Sequence, residues 1–228
     1  MNRLKVDFHT HTAEDPEDDV PYTAHDLVDR AADLGFDALA ITNHNAVTYS
    51  ADLAGHAAER GLVLIPGTEL TLSRKHVQIL SPAPRVFAGA RSLVDLPRLR
   101  TPDDLVIAPH PFYYVAKSLD RSLESIASLV DAVEFSGYFS RRVDMNKKAV
   151  AAAKRLSKPL VGSSDCHNLW QFGLTWTLVE AEKNVPAILA AVKAGRVEVR
   201  ARPLSFIAMV RVAVNFMLTD RLKLPFRL

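Results

Sequence analysis

Lys5-Val6-Asp7-Phe8-His9-Thr10-His11-Thr12 is a short apolar run that ends in two histidines one residue apart. In a strand, residues i and i+2 point to the same side. His9 and His11 therefore present two imidazoles to one spot at the C-terminal end of a strand over 4–8. Two imidazoles on one spot make part of a metal site. A single His-x-His pair is often accidental, so its weight depends on whether the rest of the chain repeats the placement.

It does. Strands are expected over 37–42, ending at Asn43-His44, and over 62–66, ending at Gly67-Thr68-Glu69. More follow over 104–108, ending at Pro109-His110; over 132–135, ending at Ser136-Gly137; and over 159–162, ending at Ser163-Ser164-Asp165-Cys166-His167. An extended piece, 76–80, begins with His76, and 175–179 and 197–199 read as later strands. Helices fall between them. Thr23 caps one with Ala24, Leu27, Val28, Ala31 and Leu34 at helical spacing and Gly35 as its stop. Others are expected over 51–60, around 87–94, over 121–130, over 146–156, and from Asn184 to Gly195 with Pro186 in the first turn.

Apolar strands alternating with helices indicate an α/β fold with a parallel sheet. No Gly-x-Gly-x-x-Gly follows the first strand and no Walker A sequence occurs, which disfavours the nucleotide-binding variants. The polar strand ends would spread along the edge of an open sheet, whereas in a closed (β/α) barrel they converge on one rim. Their number favours the barrel.

Six of the eight histidines (His9, His11, His44, His76, His110 and His167) lie at or beside strand ends, and Glu69 and Asp165 lie at two more such positions. Asp165 and His167 again share a face, with Cys166 turned away into packing. The acidic loop from Glu14 to Asp19 is either a solvated turn or the source of one more carboxylate. This set exceeds what one tetrahedral ion needs. Mixed imidazole and carboxylate suits zinc, manganese or iron. The economical reading is two to three divalent ions bridged by a carboxylate such as Glu69. Such a cluster clamps a phosphate and acidifies a water that attacks phosphorus. No Ser-His-Asp elbow is present, and Cys166 lacks an activating partner.

With 228 residues, 48% hydrophobic and 24% charged, the composition is that of one large globular domain. A net charge of +2 is too small to argue for nucleic-acid binding by itself. One cysteine excludes an internal disulfide framework. No signal-peptide pattern opens the chain, and the longest apolar run, 204–218, is broken by Arg211 and Asn215. A cytoplasmic protein without a transmembrane segment is expected.

His9-x-His11, Thr42-Asn43-His44, Gly67-Thr68-Glu69, His76, His110-Pro111, Val133-Glu134 and Ser164-Asp165-Cys166-His167 resemble, in order and context, the motifs of the PHP (polymerase and histidinol phosphatase) family. The resemblance covers roughly residues 4–200. It implies a distorted seven-stranded (β/α)7 TIM-like barrel over 1–203, a trinuclear metal site and phosphoesterase activity. Carried over by position, His9, His11, Glu69 and Asp165 hold one ion, and Glu69 bridges to a second held by His76 and His110. His44 and His167 hold the third with one loop residue, Asp15 in preference to Asp19. Asn43 stands where the family usually has Asp, which predicts altered tuning of His44. Arg141 and Arg142, after the 132–135 strand, are either exposed residues opening a helix or a phosphate clamp.

The expected substrate is a small phosphomonoester or phosphodiester, with nucleic-acid ends as a further candidate. The alternative is a non-catalytic metal-binding interaction module. The tail, 204–228, carries an apolar stripe (Phe206, Met209, Val210, Ala213, Val214, Met217) beside basic Arg221, Lys223 and Arg227. It is expected to pack on the barrel or to dock a partner.

Overall fold

The computed structural model describes residues 3–113, 115–212 and 214. Nine strands occur in it: β1 (Arg3–Asp7), β2 (Ala38–Ile41), β3 (Val63–Leu72), β4 (Lys75–Leu80), β5 (Leu105–Ala108), β6 (Ala132–Ser136), β7 (Leu160–Ser163), β8 (Thr175–Glu180) and β9 (Val197–Ala201). They form one sheet in the order β7-β6-β5-β4-β3-β2-β1-β8-β9. β1, β2 and β3 run parallel, as do β5, β6 and β7. β4 is antiparallel to both of its neighbours, β8 is antiparallel to β1, and β9 is antiparallel to β8.

The sheet curls until its ends meet. At one level of the seam the Thr177 hydroxyl of β8 donates to the Gly162 carbonyl of β7 (2.8 Å) and accepts from the Gly162 N–H (2.8 Å). At the upper level the Asp165 N–H donates to the His9 carbonyl (2.8 Å), and Thr10 pairs in parallel with Cys166. The result is a nearly closed, distorted barrel. Gly162 is needed at the seam because a Cβ there would stand 2.9 Å from the Trp176 carbonyl oxygen and 2.8 Å from a Val199 methyl.

Strand periodicity sorts the core. Val6, Ala38, Ala40, Ile65, Leu105 and Ile107 share an interior cluster, while Leu39, Ile41 and Leu64 face outward onto the first two helices. Those helices are α1 (Ala24–Asp33) and α2 (Ala51–Glu59). Thr23 caps α1 in a reciprocal box with Asp26, and Ser50 caps α2. Of the remaining helices, α3 (Leu96–Leu99) and α4 (Ser122–Ser125) are single turns, whereas α5 (Asn146–Arg155) and α6 (Val185–Lys193) are longer. Ile188, Leu189 and Val192 of α6 join the interior cluster and plug the barrel at the end opposite the histidines.

The structure differs from the sequence-based expectations in three elements. β3 does not stop at Pro66. It continues through Glu69 to Leu72, because Ser73 and Arg74, with φ of 50° and 63°, form a two-residue turn that folds β4 back onto it. His76, at the start of an antiparallel strand, thereby reaches the same rim as the ends of the parallel strands. The helix expected around 87–94 is a 3₁₀ turn at Leu93–Asp95 running into α3. The helix expected over 121–130 is only α4, after which i→i+3 bonds such as Ile126 N–H to Leu123 carbonyl tighten the chain.

The tail begins at Leu204, whose N–H donates to the Phe139 carbonyl (2.8 Å). A helix over 206–212 follows, with Val212 buried and Phe206, Ile207, Val210 and Val214 exposed. Ala213, Met217, Arg221, Lys223 and Arg227 lie outside the described residues. Among the described residues no helix is long and apolar enough to cross a membrane.

Candidate metal centre

The chain past β1 runs beside the end of β7, which fixes the side-chain directions of His9 and His11. Both are buried, and their Nε2 atoms lie 3.1 Å apart. Glu69 Oε2 is 3.3 Å from His9 Nε2 and 3.4 Å from His11 Nε2. Asp165 Oδ1 is 3.3 Å and 3.4 Å from the same two atoms. Bonds of about 2.0–2.1 Å to a tetrahedral ion require ligand–ligand edges of roughly 3.3 Å. Five of the six edges among these four atoms thus have the length that such an ion imposes.

The other oxygen of Glu69 faces a second group. Oε1 lies 3.1 Å from His110 Nε2 and 2.9 Å from His76 Nδ1, the latter at an angle that makes no hydrogen bond. Both ring nitrogens of His76 and Nδ1 of His110 are buried without a hydrogen-bond partner among the described residues. Leaving such atoms unsatisfied costs about 1–3 kcal/mol each, and a bound cation would satisfy the one ring nitrogen of each histidine that carries the lone pair. Burial, reinforced by His110 and His44, lowers His76 to about 4, so its imidazole is neutral and able to ligate. The donor set and its unpaired atoms fit divalent ions.

A third group surrounds the acidic loop. Asp15 Oδ2 faces His11 Nδ1 (2.8 Å), His44 Nδ1 (2.9 Å) and the His44 N–H (2.9 Å), while Oδ1 accepts from the Glu17 and Asp18 N–H groups. His44 Nε2 is 3.2 Å from Glu69 Oε2. Asp18 Oδ2 lies 2.9 Å from His167 Nε2 and 3.6 Å from His44 Nδ1. Asp19 is exposed.

The carboxylates set the electrostatics. Burial pulls the His9 imidazole down, but Asp165, Glu134 and Glu69 outweigh it and hold His9 well above its ordinary value. His11 is raised in the same way by Asp15, Asp165 and Glu69, and His44 reaches about 9. Burial opposes ionisation of Glu69 and Asp165, yet the facing histidines keep both carboxyls well below the carboxylate range. The site is built to attract positive charge. Its backbone is strained too: His110 and Asp165 have φ of 26° and 50°.

Several further residues support the site, and of these only Asn43 carries a sequence signal of its own role. Glu134 Oε1 accepts from His9 Nδ1–H (2.9 Å) and Oε2 from the His110 N–H (2.6 Å). Asp7 accepts from the His9 and Ser164 N–H groups, and burial pushes its carboxyl up to about 7. The Tyr138 hydroxyl reaches His167 Nδ1 (3.1 Å) and the Asp165 carbonyl. Asn43 Oδ1 accepts from the Thr12 N–H, and its amide donates to the Thr12 and Thr48 hydroxyls. Asn43 therefore ties two strand ends together, and the ring of His44 is held by Asp15.

Arg141 and Arg142 are exposed, and the Arg142 guanidinium lies over the Phe206 ring at 5.4 Å. Cys166 is buried in a core cluster with Tyr22, whose hydroxyl donates to it, and burial raises its thiol to about 12.

A family model described as the PHP domain matches residues 7–156, and one described as PHP-associated matches residues 144–197. A 65-residue stretch is 38% identical to a PolC-type DNA polymerase III of Staphylococcus saprophyticus, a match that takes in 28% of this chain and 4% of the polymerase. A two-domain protein from Bacteroides vulgatus, described as containing a predicted PHP-like metal-dependent phosphoesterase, superposes with a TM-score of 0.67 at 18% identity. That likeness covers 92% of this chain and 68% of the other. PsfC of Pseudomonas syringae gives 0.61 at 22% identity over 97% of this chain and all of its own. The lesion-specific endonuclease Q of Pyrococcus furiosus gives 0.61 at 13% identity, over 93% of this chain and 66% of the endonuclease. At these identities the structural likeness is one of fold.

Proposed function

The chain belongs to the PHP family, and on that premise we propose that it is a metal-dependent phosphoesterase acting on a small phosphomonoester or phosphodiester. The observation that carries the reading is that Glu69 Oε2 and Asp165 Oδ1 each lie 3.3–3.4 Å from both His9 Nε2 and His11 Nε2, which are themselves 3.1 Å apart. In this proposal those residues hold one ion. Glu69 shares its second oxygen with a centre completed by His76 and His110. His44 and His167 serve a third together with Asp15, and Asp18, which faces both histidines, is a second carboxylate available from the loop.

Zinc, manganese or iron bound there supplies Lewis acidity, polarising a phosphoryl oxygen and acidifying a water. The protein's own groups do the positioning. Glu134 fixes the His9 tautomer by accepting its Nδ1–H, which leaves Nε2 as the donor atom. Asp15 does the same for His11. Tyr138 steadies His167 from the loop after β6. The buried walls limit water around the cluster and so strengthen its charge interactions.

The test is hydrolysis of p-nitrophenyl phosphate, bis(p-nitrophenyl) phosphate, nucleotides and 3′- or 5′-phosphorylated oligonucleotides by protein loaded with manganese, zinc or iron. Turnover that is lost in Asp165→Asn is the expected result. Metal-loaded protein that turns over none of them would overturn the reading. A second reading, a metal-binding interaction module without catalysis, draws on the match to a short part of a much longer polymerase, and that outcome would favour it.

A further inference from the structure

The loop that follows β5 sends one basic side chain across to the acidic loop that borders this carboxylate-rich site. The Lys117 carbonyl accepts from the N–H of His76 (2.8 Å), and the Ser118 hydroxyl donates to the His110 carbonyl (2.9 Å). Lys75 Nζ donates to the Ala116 and Ser118 carbonyls at 2.9 Å and 2.8 Å. The Lys117 carbonyl and the Ser118 side chain are thus tied to the two histidines that share Glu69 Oε1, and Lys75 holds the backbone on either side of Lys117. Its side chain crosses to the acidic loop, where Nζ lies 3.0 Å from Glu17 Oε2, and both side chains are about one-third exposed, at 36% and 35%. The Glu17 carboxylate keeps a second partner, the amide of Asn45.

We propose that Lys117 is a phosphate-binding residue of this site and that Glu17 occupies its ammonium until a substrate phosphate takes the carboxylate's place. The proposal rests on the phosphoesterase reading and adds to it a residue that contacts substrate. A lysine ammonium is a compact charge with three donors, suited to phosphate oxygens that approach from different directions. The pair it makes with Glu17 is partly solvated and therefore weak, so a doubly charged phosphomonoester can displace it. Glu17 retains Asn45 when that happens. Burial works against the charge on Lys117, but Glu17, Asp18 and Glu69 outweigh it and keep the ammonium protonated. Arg141 and Arg142, by contrast, are exposed on the loop after β6.

The experiment measures inorganic phosphate binding to the manganese-loaded full chain by calorimetry, alongside KM and kcat for p-nitrophenyl phosphate and metal content by elemental analysis. Three proteins are compared: wild type, Lys117→Met and Glu17→Gln. Lys117→Met is expected to weaken phosphate binding and raise KM by about tenfold with metal content unchanged. Glu17→Gln is expected to tighten phosphate binding severalfold, because it removes the competitor and spares the ammonium. A latch that merely holds two loops together predicts that both variants weaken binding alike, and that result would overturn the proposal. So would phosphate affinity in Lys117→Met within about twofold of wild type. Wild type that binds phosphate in a Lys117-dependent way yet hydrolyses no ester would sink the phosphoesterase reading and leave the anion site standing. Wild type that does neither would remove both.

Discussion

Glu134 touches two proposed metal centres at once, so replacing it with glutamine is an informative perturbation. Its two oxygens accept from the His9 ring and from the His110 backbone, at 2.9 Å and 2.6 Å, with no solvent exposure. Glutamine preserves the shape but offers one oxygen and one NH₂. If the oxygen faces His9, the NH₂ meets the His110 N–H, and two buried donors oppose each other. If the amide flips, His9 loses its acceptor and the tautomer that leaves Nε2 free. Either way one buried donor is unsatisfied, at about 1–3 kcal/mol. Outer partners of ligating histidines are worth about 10–100-fold in metal affinity, or roughly 1.4–2.8 kcal/mol. Glu134→Gln should therefore weaken zinc binding by about 10–100-fold, measured by competition against a chromogenic chelator, while circular dichroism shows the fold intact. Affinity within about threefold of wild type would refute the positioning argument.

Other consequences follow from the seam, the charges and the thiol. Gly162→Ala should destabilise the barrel by about 1–3 kcal/mol in urea unfolding, because its Cβ would meet the Trp176 carbonyl oxygen at 2.9 Å; an unchanged midpoint would argue against a tight seam. The metal-free protein should lose stability as pH rises from about 6.5 towards 9. The folded state raises His44 to about 9, so its contribution is complete below the unfolded value near 6.5 and is lost as the folded group deprotonates. Metal-loaded protein should show the opposite trend, since deprotonated imidazoles ligate better; melting curves with and without chelator across that range decide. The Cys166 thiol, pushed up to about 12 and buried, should resist Ellman's reagent until the protein unfolds, and rapid labelling of native protein would contradict its placement.

Much of the site was legible because its residues obey strand arithmetic. His9 and His11 share a face in any extended chain, and the polar ends of parallel strands converge wherever the sheet closes. His76 reached the rim by a route the sequence did not advertise, the hairpin at Ser73-Arg74, since neither Ser nor Arg is a usual choice for positive φ. The 121–130 segment has helical residues but only one helical turn, as Leu123, Ile126 and Val130 are buried against β5 and its neighbours. Tertiary packing overrode propensity there. Glu134 stood in a recognisable motif but could not be assigned a role, because its partners His9 and His110 are far from it in sequence and nothing local marks their meeting. Asp18 was hidden among five acidic residues within 14–19, where only the fold of the loop tells ligand-facing from solvent-facing.

The central claim is that these histidines and carboxylates hold a cluster of ions. It is tested most directly by elemental analysis of protein purified without chelator, for wild type and His9→Ala. Two to three transition-metal ions per chain, falling sharply in His9→Ala, is the result expected from the geometry of Glu69, Asp165 and the facing imidazoles. A content near zero that added manganese or zinc cannot restore would contradict it.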